Sequence, residues 1–283
     1  MTVLITGANG NVSSAVIQSL QAHAGLKVRA MVRDAAKAPN IPGVEVVTGD
    51  LDHPETLTEA FAGVDTLWLL NAMGPQAPHA SSNAVWAARA AGVRHLVRLS
   101  AIGAAHDAPT RNGRLHALSD VEALESGIAT TIIRPAFFMQ NLIGSVSGGV
   151  LYHAIGQGRI GIIDIRDIAD FGAHILANPD AHAGRVYTLT GPQSVSMADA
   201  AQTLTDALGK PVTAQEIPPQ AAVEGMKAAG FPAWVAEVSG LEYGAAYASG
   251  WGDYTTPDFT SVTGKPGRTL AEFARDHSAL LAG

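Results

Sequence analysis

The sequence predicts an α/β protein built on a doubly wound parallel sheet with helices on both faces. Three observations support this class. Residues 2–6 form an apolar strand that runs into a glycine turn and then a helix, and strand-like and helix-like segments alternate through the first half. The chain of 283 residues is also 47% hydrophobic, which is enough for a large buried core. Alternation of this kind implies parallel strands joined by right-handed crossovers.

Each element of the first half has its own local signal. Apolar or β-branched runs predict strands over 2–6, 27–34, 44–47, 66–71, 95–100 and 130–134. Gly92 and Gly127 end two of the intervening helices, and Pro135 closes the last of these strands. The predicted helices cover residues 15–20, 54–61, 82–91 and 115–125.

The pattern changes after about residue 140. A glycine- and serine-rich loop is predicted over 144–149, short strands over 161–164 and 186–189, and a helix over 167–177. Two more helical segments, a Gly/Tyr-rich stretch over 243–254 and a last helix near 270–280 follow. We therefore expect a first domain over 1–140, to which the chain returns around 158–192, and a smaller C-terminal α/β lobe over 193–283.

Composition excludes several classes of partner. The net charge is −7 and no run of Lys or Arg occurs, so we expect neither nucleic acid nor a membrane surface as a partner. The chain has no cysteine, which excludes disulfides, thiolate zinc sites and a cysteine nucleophile. No histidines stand at zinc-ligand spacing, and no metal site is predicted. A strand from residue 2 leaves no room for a signal peptide, so a cytoplasmic protein is expected.

The turn after the first strand has the spacing Gly7-x-x-Gly10-x-x-Ser13. Glycines there let the backbone approach phosphate groups, and the following helix directs its free N–H groups and positive dipole end toward them. The same spacing also occurs in ordinary tight turns. Its place in the first strand-turn-helix unit favours a dinucleotide site. Ser13 is larger than glycine, and we expect it to reduce the closeness of helix and strand only slightly.

The end of the second strand indicates which dinucleotide binds. An acidic residue there would bind the ribose 2′-hydroxyl of NAD, whereas an arginine accommodates the 2′-phosphate of NADP. Arg33 occupies the tip, with Asp34 one residue later. The pair could also be a solvated strand end, but the position of Arg33 favours NADP(H) as the cofactor.

Seven segments carry a family resemblance: ITGANGNV (5–12), VRD (32–34), GDL (49–51), AGVRH (91–95), IRPAFFMQN (133–141), DIRDIA (164–169) and VTGKPGRT (262–269). Over essentially its whole length the chain resembles the NmrA-like group of atypical short-chain dehydrogenases/reductases. The resemblance implies a Rossmann domain that binds NADP and a small C-terminal substrate lobe. It also implies kinship with NADPH-dependent quinone, triphenylmethane-dye and azo-dye reductases, and with regulators that bind the cofactor without turnover.

The resemblance also implies roles for particular residues. The pyrophosphate would be held by Gly7, Asn9, Gly10, Asn11 and Val12, and the 2′-phosphate by Arg33. Asp50 and Leu51 would flank the adenine, and the nicotinamide ribose would be lined by Asn71, Ala72 and Met73. The nicotinamide and substrate would be faced by Phe137, Phe138 and Asn141. The three residues from Phe137 to Met139 could equally be plain core packing.

Most short-chain dehydrogenases use a Tyr-x-x-x-Lys pair, in which the tyrosine exchanges the proton. None of the five tyrosines here has a lysine four residues later. His116 and Asp120 stand at the equivalent place, on one face of a helix. In one interpretation His116 orients substrate or relays a proton while Asp120 holds its tautomer; in the other the two form a surface pair. Ser100, at the end of a strand, could bind a substrate oxygen or merely end the strand.

Two functions are consistent with these features. The first is an NADPH-dependent oxidoreductase that transfers hydride to an electrophilic conjugated acceptor such as a quinone, an azo dye or a triphenylmethane dye. Such an acceptor takes hydride readily and can be protonated by water, so the missing tyrosine is tolerable. The second is a non-catalytic NADP(H)-sensing regulator. An isomerase or epimerase with tightly held cofactor is a weaker third interpretation. The expected partner is a small-molecule substrate, and a homo-oligomer is left open.

Overall fold

The computed structural model describes residues 1–38 and 41–281, so the last two residues of the predicted C-terminal lobe lie outside it. The described chain forms two compact units. The first contains residues 1–106, 113–134 and 168–187, and the second contains residues 107–112, 135–167 and 188–283. The predicted boundaries of the two domains stay a prediction.

The strands, numbered in chain order, are β1 Thr2–Ile5, β2 Lys27–Val32, β3 Val44–Thr48, β4 Thr66–Leu69, β5 His95–Leu99, β6 Ala129–Pro135, β7 Phe137–Phe138, β8 Val146–Ser147, β9 Val150–His153, β10 Arg159–Ile163, β11 Val186–Leu189, β12 Ser194–Ser196 and β13 Thr213–Glu216. The α-helices are α1 Asn11–Leu20, α2 Leu57–Phe61, α3 Ala77–Ala90, α4 Arg111–Glu125, α5 Ile165–Ala177, α6 Met197–Leu208, α7 Pro219–Ala228, α8 Ala233–Glu237, α9 Gly244–Ala248, α10 Asp258–Thr263, α11 Leu270–Asp276 and α12 Ser278–Leu281. Tighter 3-10 turns cover Ala35–Lys37, Pro54–Thr56, Met139–Ser145 and Pro179–His182.

A seven-stranded parallel sheet in the order β11-β6-β5-β4-β1-β2-β3 confirms the predicted fold class. Every residue of β4 and β5 is buried, as in a strand covered on both faces. β3 lies at the edge of the sheet and is largely exposed. The strand order changes direction between β1 and β4. Ligands of such sheets bind outside the carboxyl ends of the strands at that point.

Several boundaries differ from those predicted. α3 and α4 begin earlier, at Ala77 and Arg111, and the helix predicted over 54–61 divides into a 3-10 turn and α2. Thr56, the last residue of that 3-10 turn, donates its hydroxyl proton to the carbonyl of His53, which precedes the turn. The loop predicted over 144–149 instead contains β8 and the turn that leads into β9. The predicted last helix is interrupted at His277 between α11 and α12.

The second unit has two small sheets, β12-β10-β7 and β13-β9-β8. β9 and β13 pair in parallel, with Thr213 opposite Val150. Sequence reasoning missed both strands because they are short and β13 is polar, and such strands are specified by their neighbours. The core of this unit is apolar, with Leu151, Leu204 and Phe273 fully buried.

Candidate functional site

The turn after β1 contains two glycines, Gly7 and Gly10. Gly7 has φ +62°, and a Cβ there would lie 3.0 Å from Leu70 Cδ2, so a larger residue would be strained. The Gly10 amide donates to the Gly7 carbonyl at 2.8 Å, which closes the turn. A Cβ on Gly10 would lie 3.2 Å from that same carbonyl oxygen. Both glycines are therefore needed for the shape of the turn.

The N-terminus of α1 opens onto this turn. Gly10 is the N-cap in extended conformation, and no side chain caps the helix, so its first N–H groups have no side-chain acceptor. Asn9, Gly10 and Asn11 are exposed, whereas the Val12 side chain is only 5% exposed. Val12 can therefore offer a ligand its main-chain N–H only. Main-chain N–H groups at a helix N-terminus beside a glycine turn fit a dinucleotide pyrophosphate.

Ser13 joins the helix to the sheet more specifically than its size alone indicates. Its hydroxyl donates to the Thr6 carbonyl at 2.8 Å and accepts from Trp68 Nε1 at 3.1 Å. Ser13 and Trp68 are both fully buried. The serine at the third small position thus binds α1 to β1 and β4 at once, which holds the N-terminus of the helix in place.

The turn after β2 places Arg33 in solvent. The strand ends at Val32, one residue before it, and Arg33 is exposed. The Asp34 carboxylate accepts from the Ala36 amide at 3.0 Å and lies 3.8 Å from Lys37 Nζ. Asp34 therefore caps the following 3-10 turn, and the exposed guanidinium of Arg33 is suited to an anionic ligand.

Two loops at the carboxyl ends of β3 and β4 contain the other predicted cofactor residues. The main chain of Asp50 and Leu51 is held by Thr56 Oγ1, 2.9 Å from the Asp50 amide, and by Asn83 Nδ2, 2.8 Å from the Leu51 carbonyl. After β4, the Asn71 side chain donates to the Ala77 carbonyl at 3.1 Å and to the Ala72 carbonyl at 3.3 Å. Ala72 is exposed and Met73 half-buried. Both loops are thus held by internal hydrogen bonds.

A buried polar cluster lies behind the ends of β5 and β6. Asp120 on α4 is 1% exposed, and its Oδ1 accepts from Arg98 Nε at 2.9 Å. Its Oδ2 accepts from Ser100 Oγ at 2.8 Å and from Arg134 Nη2 at 2.9 Å. Arg98 is also 1% exposed, and its Nη1 donates to Ser81 Oγ at 3.2 Å. The charges are paired and hydrogen-bonded, as buried charges must be.

His116 lies at the edge of this cluster, one turn before Asp120. Arg98 Nη2 lies 3.3 Å from His116 Nδ1. Burial, reinforced by the charges of Arg98 and Arg134, lowers the pKa of His116 to about 3. The imidazole is therefore neutral at physiological pH.

These contacts bear on the roles predicted for Asp120, His116 and Ser100. In one interpretation Asp120 holds the tautomer of His116, but both Asp120 oxygens bind Arg98, Arg134 and Ser100, and Nδ1 of His116 faces Arg98 instead. Among the described residues no hydrogen bond joins Asp120 to His116. The surface-pair interpretation fails too, because Asp120 is buried. Ser100 donates its proton to Asp120 and is 5% exposed, which favours its structural role.

Sequence reasoning missed Arg98 and Arg134. A signal for Arg98 was present, because it interrupts an apolar run that predicts a fully buried strand. A charge in such a strand requires a buried partner, which here is Asp120. No comparable signal marked Arg134, which is half-buried at the end of β6.

The predicted substrate residues belong to the second unit. Phe137 and Phe138 form β7, paired with Ile162 and Ile163 of β10, and both are half-buried. The Phe137 ring meets the Tyr247 ring edge-on at 6.3 Å. Asn141 is exposed on the 3-10 turn that follows. The structure therefore leaves these three residues as predicted substrate contacts.

Tyr243 and its neighbours form a second aromatic and polar group in this unit. The Tyr243 ring stacks on the Tyr247 ring at 5.7 Å, and the Tyr243 hydroxyl accepts from Asn112 Nδ2 at 3.1 Å. Burial raises the pKa of Tyr243, so its hydroxyl stays protonated at neutral pH. Tyr243 ends a π-helical turn, Val238–Tyr243, which sequence reasoning did not predict.

No helix in residues 1–38 and 41–281 has the length and apolar character needed to cross a membrane. Within the same part of the chain, no cluster of three or more His, Asp or Glu side chains could hold a metal ion.

Comparison with known proteins shows the family of the chain. The model of the NAD(P)H-binding family matches residues 7–179. The chain is 38% identical over 286 residues to the NAD(P)H azoreductase of Xenophilus azovorans, covering 98% of each chain. It is 30% identical over 280 residues to quinone oxidoreductase 2 of Escherichia coli (strain K12), covering 95% of this chain and 96% of that relative. Citrobacter sp. triphenylmethane reductase complexed with NADP(H) matches with a TM-score of 0.84 and 27% identity, over 97% of this chain and 99% of that one.

The chain therefore belongs to the NAD(P)H-binding family, and within it to the NmrA-like atypical short-chain dehydrogenases/reductases. The predicted family is confirmed, and the open turn at Gly7 and Gly10 fits the cofactor that the family binds.

Proposed function

We propose that the protein is an NADPH-dependent oxidoreductase that reduces electrophilic conjugated acceptors such as quinones, azo dyes or triphenylmethane dyes. The observation that carries the proposal is the unobstructed turn at Gly7 and Gly10 beside the uncapped N-terminus of α1, in a chain similar along its length to an azoreductase and a quinone oxidoreductase. A bound NADPH supplies the hydride. The exposed Arg33 supports NADPH over NADH, because a guanidinium pairs well with a phosphate.

The chain's own residues bind and orient the reactants. The main-chain N–H groups of Asn9, Asn11 and Val12 hold the pyrophosphate beside the turn of Gly7 and Gly10, and Arg33 holds the 2′-phosphate. Asp50 and Leu51 flank the adenine, and residues 71–73 line the nicotinamide ribose. Phe137, Phe138 and Asn141 contact the acceptor. His116, neutral at physiological pH, orients the acceptor rather than carrying a positive charge to it.

Turnover of a panel of acceptors tests the proposal. Purified protein is mixed with NADPH and, in separate reactions, a quinone, an azo dye and a triphenylmethane dye, and the loss of reduced-cofactor absorbance is followed. We expect turnover of at least one acceptor. Gly7→Val serves as the control, because a side chain at φ +62° within 3.0 Å of Leu70 strains the cofactor turn. Turnover that survives in Gly7→Val would come from another source.

A non-catalytic NADP(H) sensor is the second candidate. The observation that favours it is the sequence itself, in which no tyrosine is followed four residues later by a lysine. Tight NADP(H) binding with no turnover of any acceptor in the panel would reject the reductase and support the sensor.

A further inference from the structure

The hydrogen bonds of Arg98 determine which nitrogen of His116 carries a proton. A guanidinium has only donors and keeps its proton in proteins. Arg98 directs Nε to Asp120, Nη1 to Ser81 and Nη2 to His116 Nδ1, at 2.9, 3.2 and 3.3 Å. Because Nη2 can only donate, Nδ1 of His116 must present its lone pair. The one ring proton of neutral His116 is then on Nε2.

The surrounding charges oppose a second proton on this ring. Two cations, Arg98 on β5 and Arg134 on β6, face one carboxylate, Asp120 on α4, and Ser81 on α3 is neutral. The carboxylate is already shared between both arginines. Burial, reinforced by the positive charges of Arg98 and Arg134, therefore lowers the pKa of His116 to about 3.

We propose that Arg98 is a positioning residue that holds His116 as the neutral Nε2–H tautomer, so that His116 gives the acceptor a hydrogen bond rather than a proton. The inference rests on the proposed reductase function for the identity of the acceptor, but the tautomer is a property of the protein alone. A neutral imidazole that released its Nε2 proton would become an anion. The proton that neutralises a reduced acceptor therefore comes from water, which is left as hydroxide.

Nitrogen NMR of the ligand-free protein tests the tautomer directly. Protein labelled with ¹⁵N-histidine is titrated from about pH 8 to about pH 5, the range in which an ordinary histidine gains its charge. The His116 signals are assigned by their loss in His116→Gln. We expect an unprotonated Nδ1 and a protonated Nε2 throughout. A proton on Nδ1, or titration near the ordinary histidine pKa of about 6.5, would overturn the proposal.

Two variants test whether Arg98 causes this state. Arg98→Lys keeps a positive charge but loses the fork that reaches Asp120 and His116 together, and we expect a mixture of tautomers. Ser81→Ala removes another partner of the same guanidinium and leaves Nη2 in place, so we expect the wild-type tautomer. A pure Nε2–H tautomer in folded Arg98→Lys would show that Arg98 is not the cause. If Arg98→Lys fails to fold, the wild-type spectrum still decides the tautomer.

Turnover by two His116 variants separates hydrogen bonding from proton transfer. His116→Gln keeps an N–H donor at a similar reach, and we expect it to retain most of kcat. His116→Leu has no donor, and we expect it to lose about 10²-fold in kcat, as when one preorganised donor is removed. Equal losses in both variants would reject the donor role. A protein that turns over no acceptor rejects the proposed reductase but leaves the NMR result intact, so the two failures can be told apart.

Discussion

Asp120 is the carboxylate that joins the members of the buried polar cluster in the first unit. It is 1% exposed and pairs with Arg98 of β5 and Arg134 of β6. It also accepts a hydrogen bond from the hydroxyl of Ser100, which follows β5. Removal of one member of a buried ionic cluster leaves the remaining charges without a partner. The position of His116 depends on this cluster through Arg98.

Asp120→Ala tests that dependence. We expect the free energy of unfolding to fall by about 3–5 kcal/mol, because Arg98 would remain buried without its counter-charge. Urea denaturation measures the change. The control is Arg94→Ala, which breaks the ion pair with Asp65 where the arginine side chain is 72% exposed, and it should cost less than about 1 kcal/mol. Equal effects in the two variants would contradict the proposed importance of the buried cluster.

Under the proposed function, the preference for NADPH over NADH depends on Arg33. In Arg33→Ala we expect the Kd for NADPH to rise by about 10- to 100-fold, which corresponds to the loss of a charged hydrogen bond, while the Kd for NADH stays nearly unchanged. Fluorescence titration with each cofactor measures both constants. Lys37→Ala removes an exposed cation from the same turn and should weaken neither cofactor comparably. A similar rise for NADH would remove the argument for NADP.

At the scale of elements, the cofactor turn depends on how helices pack against β4. Gly172 on α5 is buried, and a Cβ there would lie 2.6 Å from Trp68 Cζ3. Trp68 in turn donates to Ser13 of α1. Two helices are thus held against one buried indole, and the small size of Gly172 permits that arrangement.

Matched glycine substitutions test this packing. Gly172→Ala should lower the free energy of unfolding by about 1–3 kcal/mol, because the added methyl overpacks the Trp68 ring. Gly225→Ala, in the exposed middle of α7, meets no atom within 4 Å and should raise it by about 0.5–1 kcal/mol through helix propensity. Chemical denaturation of both variants measures the difference. A stabilised Gly172→Ala would show that the ring has room to move.

At the scale of the whole molecule, buried neutral histidines make stability depend on pH. Burial lowers the pKa of His95, His116 and His182 below the ordinary value of 6.5. As the pH falls below 6.5, the unfolded chain takes up protons that the folded chain refuses, so folding becomes less favourable. For His116 this loss continues until about pH 3.

Urea midpoints measured from about pH 7 to about pH 5 test this dependence. We expect the midpoint to fall with pH in the wild type and to fall less steeply in His116→Gln, which has no titrating ring at that position. His53→Gln is the control, since the side chain of His53 is 63% exposed, and its slope should match that of the wild type. A slope unchanged by His116→Gln would mean that His116 titrates alike in the folded and the unfolded chain, which would contradict its lowered pKa.

Local signals account for what could be predicted. Gly7 and Gly10 lie three residues apart, and the turn they form is closed by a hydrogen bond between them, so its shape follows from the chain itself. A nearly continuous apolar run predicted β4, and an apolar run interrupted by Arg98 predicted β5, because strands buried on both faces consist largely of apolar residues. Arg33 directly follows a strand, which made its position readable from the sequence.

Contacts between residues far apart in the sequence could not be predicted. Arg98 and Asp120 are 22 residues apart, and Ser13 and Trp68 are 55 residues apart. Their meeting depends on strand order and on the register that sets Leu99 of β5 opposite Ile133 of β6. A spacing of four placed His116 and Asp120 on one helical turn, but it did not show which way each side chain faces.

The sequence by itself determined the fold class and the family, and it predicted the place where the cofactor binds, because each of these follows from short contiguous segments. Only the tertiary structure decided how the polar residues behind that site are paired. In the folded chain Asp120 pairs with Arg98 and Arg134, and Ser100 donates its hydroxyl proton to Asp120. Nδ1 of His116 faces the guanidinium of Arg98. The physical reason is that a buried charge must pair with an opposite charge that the packed sheet brings close to it. The spacing of residues along the sequence does not show which residues the sheet brings together.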